Sequence, residues 1–228
     1  GLKTIKQGYP GNPRDEKGRF LNEHHPFRPN MWKEMKYQFG LNPDNRAKKE
    51  DKFSLTLVDS QDWLHSETDC MVWLGHCSFF IRLGGVTFLT DPVYHKLPFT
   101  PQLLEIPWPV SSIKGIDFIL LSHDHSDHCQ QQSLEELFEA NPTVTVLCGL
   151  EMAELIQQWA PSSVSFQEAG WYQQFETGDN LEAFFLPARH WSRRGLWDTN
   201  RRLWGSFLIR TGGISLYFAG DTGYDQHF

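Results

Sequence analysis

At 228 residues, with 39% hydrophobic and 21% charged residues, the chain has a globular composition and enough length to bury a large core. A net charge of −7 gives no electrostatic reason to expect nucleic acid, which favours basic stripes, and no apolar run reaches the roughly eighteen residues that span a membrane. Cys70, Cys77, Cys129 and Cys148 have neither C-x-x-C nor disulfide-framework spacing, and Cys129 reads as a small buried hydrophobe. The first residue is Gly1 rather than Met, so a processed chain or one without its leader is expected. A soluble protein, cytoplasmic or periplasmic, is expected, with the compartment left open.

Residues 1–52 are rich in Gly, Pro, Asn and charge and read as an N-terminal arm wrapping the domain. A short helix is expected over 31–39, with His24 and His25 at the surface. Residues 53–228 are expected to form the domain itself, with Trp63 as an early anchor. Met71–Leu74, Ser78–Leu83 and Val86–Thr90 read as strands, the last two joined by the Gly84-Gly85 turn. After a Pro-rich loop over 97–110 comes the apolar run Phe118–Leu121, a buried strand. Ser133, with Glu136 three residues on, matches a capping box and predicts a helix to about Ala140. A strand over 143–148, a helix over 151–159 and a strand over 164–167 follow. Strands are then expected over 181–186, 203–210 and 214–219, the last two joined by Gly212-Gly213. The alternation of strands and helices predicts a layered α/β domain.

The segment after Phe118–Leu121 concentrates the chemistry: His123, Asp124, His125, Asp127 and His128 within six residues. On extended backbone His123 and His125 project to one side, a spacing that chelates one metal. Asp127 and His128 can serve a second metal if the chain turns between the pairs. Such a cluster behind a buried strand would be costly to desolvate without an ion, so it is a zinc-type signal.

A shift of 128 aligns SFFIRLGGVTFLT, from Ser78, with SFLIRTGGISLYF, from Ser206, with six of thirteen positions identical. Similar hairpin chemistry would account for the glycines, whereas the shared Ser-Phe-x-Ile-Arg frame favours an internal repeat. A duplicated sheet-plus-helices unit would make an αββα sandwich, sheet against sheet with helices outside. Because the second copy begins near Leu203, the second half is expected to be incomplete, its C-terminal part missing.

The run His123–His128 stands as H-x-H-x-D-H and resembles the signature of the metallo-β-lactamase superfamily. WLGHCSF, LTDP, RHWSRRGLWDTNRRLWGSF, YFAGDTGY and KGRF are similar to the branch containing the N-acylphosphatidylethanolamine-hydrolysing phospholipase D and its bacterial relatives. The resemblance implies two zinc ions: His123, His125 and His190 on one, Asp127 and His128 on the other, and Asp221 bridging. Asp127 and Asp221 would be the catalytic carboxylates. Two metals about 3.5–4 Å apart can share a hydroxide that attacks a phosphodiester. The resemblance casts Asp91 as an acid orienting a ligating imidazole and His76 as site-lining, with a hydrogen-bonded core histidine as the alternative. The family has a further, late histidine on the second metal that this chain does not supply, and His227 falls at a loop position instead.

Arg189, Arg193 and Arg194 flank His190 and suit phosphate oxygens, or else form a solvated face paired with Asp198. Trp191, Trp197 and Trp204 would line an apolar groove or pack in the core. The expected activity is a zinc-dependent phosphodiesterase on N-acylphosphatidylethanolamine-like or related phospholipids. The alternatives are a lactonase or amide/ester hydrolase on the same scaffold, and a non-catalytic metal-binding module. The expected partner is a small-molecule or lipid phosphodiester, not nucleic acid. Peripheral membrane contact stays open, without an amphipathic-helix signature, as does the oligomeric state.

Overall fold

The computed structural model describes residues 1–26, 32, 36, 44–97, 106–179 and 181–227. The helix expected over 31–39 lies almost wholly outside these residues, as does much of the loop over 97–110. The chain order is β1 (Lys3–Thr4), α1 (Asn45–Glu50), α2 (Asp62–His65), β2 (Cys70–Gly75), β3 (Ser78–Leu83), β4 (Val86–Thr90), β5 (Phe118–Leu121) and α3 (Gln131–Ala140). It continues with β6 (Thr145–Gly149), α4 (Ala153–Ile156), β7 (Ser165–Ala169), β8 (Gln173–Gln174), β9 (Glu182–Leu186), β10 (Ser206–Thr211) and β11 (Ile214–Phe218).

The strands form two sheets, one of order β2-β3-β4-β5-β6-β7 and one of order β1-β8-β9-β10-β11. Within the first, β4 to β7 run parallel, and such strands are covered on both faces. That is why Phe118–Leu121 reads as a continuous apolar run and Val144–Cys148 is apolar but for Thr145. Their side chains divide by period two. Ile119, Leu121, Val146 and Cys148 meet Leu134, Leu137 and Phe138 of α3. Leu120 and Leu147 face Phe185, Phe207 and Ile209 of the other sheet. The helical apolar side chains that join a core cluster all join the former one, so the described residues form helices, sheet, sheet. Residues of the arm enter this body: β1 pairs with β8, and Phe20 is fully buried between the sheets.

Each member of the internal repeat is a hairpin, and each sheet contains one. Leu83 pairs with Val86 and Thr211 with Ile214, and the Gly-Gly turns match closely in φ: 59° and 80° in the first, 56° and 79° in the second. Positive φ at both central positions defines the turn whose twist suits a two-residue hairpin. The cap of α3 differs from expectation. The helix starts at Gln131, and Ser133 lies in its first turn, donating to Gln130 Oε1 at 2.5 Å and accepting from Tyr94 N at 2.9 Å. The Ser-x-x-Glu spacing is present, but the hydroxyl is used to hold the loop at Tyr94.

Strand direction gathers the chemistry at one end. β4 and β5 run parallel and deliver Asp91 and Ser122–His123 side by side, with Asp91 N donating to Leu120 O at 3.0 Å. β9 and β11 both run antiparallel to β10, hence parallel to each other, and deliver His190 and Asp221 to that same edge. Gly205 N donates to Ser122 O at 2.9 Å, joining the sheets there. Gly220 is required by contact: a Cβ on it would lie 2.6 Å from Ser122 Cβ, and its φ is 58°.

Candidate metal centre

His123 Nε2, His125 Nδ1 and His190 Nε2 converge from two loops, at 2.9 Å for the first pair and 3.2 Å from His190 to each of the others. Three imidazole nitrogens this close cannot all satisfy one another, because each presents either a proton or a lone pair. The spacing is near the roughly 3.3 Å edge of a tetrahedron around an ion held at 2.0–2.1 Å. The donor set therefore fits a zinc-type ion.

Hydrogen bonds behind the rings fix the tautomers. Asp91 is fully buried; its Oδ1 accepts from Ser122 N at 2.8 Å and its Oδ2 from Ser122 Oγ at 2.5 Å and His128 Nδ1 at 2.7 Å. Since the Ser122 hydroxyl proton goes to Asp91, its oxygen accepts from His123 Nδ1 at 2.9 Å. Both His123 and His128 thus carry a proton on Nδ1, leaving Nε2 to face the centre. His128 is itself fully buried, and its Nε2 has no hydrogen-bond partner among the described residues. That atom faces Asp221 Oδ1 at 3.4 Å, while Asp221 Oδ2 lies 3.8 Å from His190 Nε2. Asp221 therefore stands between the trio and His128. Asp127 lies across from His76, with Oδ2 3.6 Å from Nε2.

Electrostatics separate the rings. Burial, reinforced by neighbouring histidines, depresses His123 well below the usual imidazole range. Burial likewise pulls His125 and His190 down to about 4. Burial opposes protonation of His128 too, but contacts and charges of Asp221 and Asp91 prevail and push it up to about 10. Asp127 and Asp221 are held below the ordinary carboxylate range by His76 and His128 respectively.

The flanking residues divide. Trp191 stacks edge-on to His125 at 4.5 Å, with the exposed Arg193 guanidinium 5.5 Å from the Trp191 ring. Arg194 instead donates to Asp124 O and Cys129 O, and Arg189 reaches Tyr224 O, with its Nε 3.7 Å from Asp225. Trp204 is fully buried between the sheets, as the core alternative has it, and Trp197 is 92% exposed, so the three tryptophans do not line one groove. Their spacing on a loop that folds back on itself sends each to a different environment. His227 Nε2 meets Thr222 Oγ1 at 3.0 Å.

Several supporting residues carry no sequence signal of their own. Asn22 brackets the backbone of His190, accepting from its N at 3.0 Å and donating to its O at 2.9 Å. Ser122 relays between Asp91 and His123. Asp124 had a signal in period two, because it must point opposite to His123 and His125. Fully buried, it accepts from Arg193 N and Arg202 Nη1, both at 2.9 Å, and so fastens the His190 loop to the motif. Burial pushes its carboxyl up against the pull of Arg202. Asn22→Ala is expected to cost about 1–2 kcal/mol in urea unfolding by removing both bonds. It should also weaken zinc about 10-fold in a chelator competition, by freeing the His190 backbone.

Comparisons with known proteins place the chain in a family. A family profile described as "Beta-lactamase superfamily domain" matches residues 87–227. N-acyl-phosphatidylethanolamine-hydrolyzing phospholipase D 1 of Caenorhabditis elegans is 31% identical over 176 residues, 72% of this chain and 49% of that one. The mitochondrial N-acyl-phosphatidylethanolamine-hydrolyzing phospholipase D of Saccharomyces cerevisiae is 32% identical over 162 residues, 67% of this chain and 34% of that one. The chain thus spans half or less of the length of these two relatives. Among solved structures, the metallo hydrolase Igni18 of Ignicoccus hospitalis superposes with a TM-score of 0.51 at 22% identity, covering 68% of this chain and 62% of that one, a likeness of fold. With the profile spanning more than half of its residues and including His123–His128, His190 and Asp221, the chain belongs to the metallo-β-lactamase superfamily.

Proposed function

We propose that this chain provides the metal centre of a zinc-dependent phosphodiesterase acting on N-acylphosphatidylethanolamine-like or related phospholipids. The observation that carries a metal centre is the convergence of three imidazole nitrogens within 3.2 Å, with the outer nitrogen of His123 tied back through Ser122 to Asp91. His123, His125 and His190 would hold one ion, and Asp127 and His128 a second, with Asp221 between them. Zinc in such a site supplies a Lewis acid and brings the pKa of water towards about 7, so a nucleophile is available at neutral pH.

The chain's own residues orient and select. Asp91 keeps the His128 proton on Nδ1, and Ser122 keeps that of His123 there, so neither ring can turn its lone pair away. Asp124 and Arg202 fix the loop that carries His190. Arg193, exposed beside Trp191 and close enough to His125 to depress its basicity, offers a cation to an anionic diester at the edge of the centre. The substrate class is supported by this cation together with the two phospholipase D relatives. No helix of the described residues is long and apolar enough to cross a membrane.

The test is product analysis with zinc-loaded protein on a panel holding an N-acylphosphatidylethanolamine, other glycerophospholipids, lactones and amides. Phosphatidic acid and an N-acylethanolamine are expected, lost on chelation and restored by zinc. Ring-opened or deacylated carboxylates alone would overturn the phosphodiester assignment. Tightly held zinc with no turnover of any substrate would overturn the enzyme.

A further inference from the structure

We propose that His76 is a ligand of the second metal, joining Asp127, His128 and Asp221 in a set drawn from three chain segments. This rests on the two-metal reading above. His76 occupies the turn between β2 and β3, outside the motif loop. Its Nε2 lies 3.6 Å from Asp127 Oδ2, and its ring centroid lies 5.1 Å from that of His128. Ligand atoms of His76, Cys77 and His128 all lie within 4.8 Å of one another. On the far side stands His128 Nε2, fully buried and without a hydrogen-bond partner among the described residues, with Asp221 Oδ1 at 3.4 Å. His76 is thus within reach of both the carboxylate and the imidazole assigned to the second ion. A surface pair with Asp127 would account for the first contact but not for the approach to His128.

The backbone points the same way. His76 has φ 44°, in the region that favours glycine and that Asn, Asp and His tolerate best among other residues. Among the described residues, the two-residue hairpin turns Gly84-Gly85 and Gly212-Gly213 meet the demand for positive φ with Gly-Gly. Here Gly75, at φ 109°, is followed by a histidine in that conformation. The pairing register also shifts between Trp73 and Gly75, and Trp73 Nε1 donates to His76 O at 2.8 Å. Irregularities of this kind re-aim a side chain, and the indole bond holds the redirected turn in place.

The test is cobalt binding to metal-stripped protein without substrate, comparing the wild type with His76→Asn and His76→Gly. Asn tolerates the backbone conformation, and Gly relieves it, so neither variant loses metal through strain. The wild type is expected to take two equivalents. Both variants should keep the first and bind the second at least about 100-fold more weakly, since outer contacts alone are worth 10–100-fold. Proton NMR of the cobalt form should lose one hyperfine-shifted imidazole N–H. Two equivalents at wild-type affinity in both variants would overturn the role of His76 and leave the two-metal reading intact. One equivalent in the wild type would overturn that reading and His76 with it. A cobalt–thiolate absorption that disappears in Cys77→Ser would overturn it by giving the position to Cys77.

Discussion

Asp91→Ala is expected to lower the unfolding free energy of the metal-free protein by about 3–5 kcal/mol, the cost of leaving one member of a buried ion pair alone. Asp91 and His128 are both fully buried and meet at 2.7 Å, and Ser122 gives Asp91 its backbone N–H and its hydroxyl as well. Alanine would strand all three donors in a fully buried position. The Ser122 hydroxyl would also lose the acceptor that makes its oxygen available to His123 Nδ1. Zinc affinity should therefore fall by about 10–100-fold at both proposed metal positions, because Asp91 stands behind a ring of each. Urea unfolding with and without zinc measures the two parts separately. Asp91→Asn retains shape and the acceptance from Ser122 N through its amide oxygen, and should recover part of the stability. A full-strength zinc site in Asp91→Ala would remove Asp91 from the support of the centre.

The local rules that made parts of this protein legible in its sequence are identifiable. Phe118–Leu121 read as a buried strand because parallel strands covered on both faces are apolar throughout, and His123 and His125 followed from the two-residue period. The Gly-Gly turns marked both hairpins because glycine takes their positive φ angles without steric cost. Asp221 and His190 rested on resemblance alone, since nothing in their neighbourhood says which sheet edge they reach. What stayed hidden depends on partners distant in sequence. Asn22 meets His190 across 168 residues and Asp124 meets Arg202 across 78. No spacing rule encodes either pair. Ser133 failed for the opposite reason: its local capping pattern was present, but Tyr94 N and Gln130 took the hydroxyl. The tryptophans after His190 were close in sequence, yet one is in the core, one in solvent and one against His125.

The metal-free protein is expected to lose stability as pH falls from about 6.5 to about 4. His125 and His190 are depressed to about 4 in the folded chain, whereas in the unfolded chain they titrate near the ordinary 6.5. Between these values the unfolded state binds protons that the folded state does not, so stability rises with pH across the window. The stability is complete above 6.5 and is lost as pH drops towards 4, about 3 kcal/mol for each imidazole over the full interval. His123 is depressed in the same direction and adds to the slope. His128 behaves oppositely. Raised to about 10, it stabilises fully below 6.5 and its contribution fades as pH climbs from there to 10. It is protonated in both states through the acid window and leaves that slope untouched. The lowered Asp127 and Asp221 act only below about 4, where unfolded carboxylates begin to protonate. Maximum stability without metal should thus fall near pH 6.5, read by urea midpoints from pH 4 to 9. Zinc competes with protons for the same nitrogens. Its release should follow the acid limb, and its binding at pH 7 should expel the second proton of His128, measured as a buffer-dependent heat in calorimetry. A flat profile between 6.5 and 4 would mean that the three converging imidazoles are protonated as readily when folded as when free, which their spacing of 2.9–3.2 Å opposes.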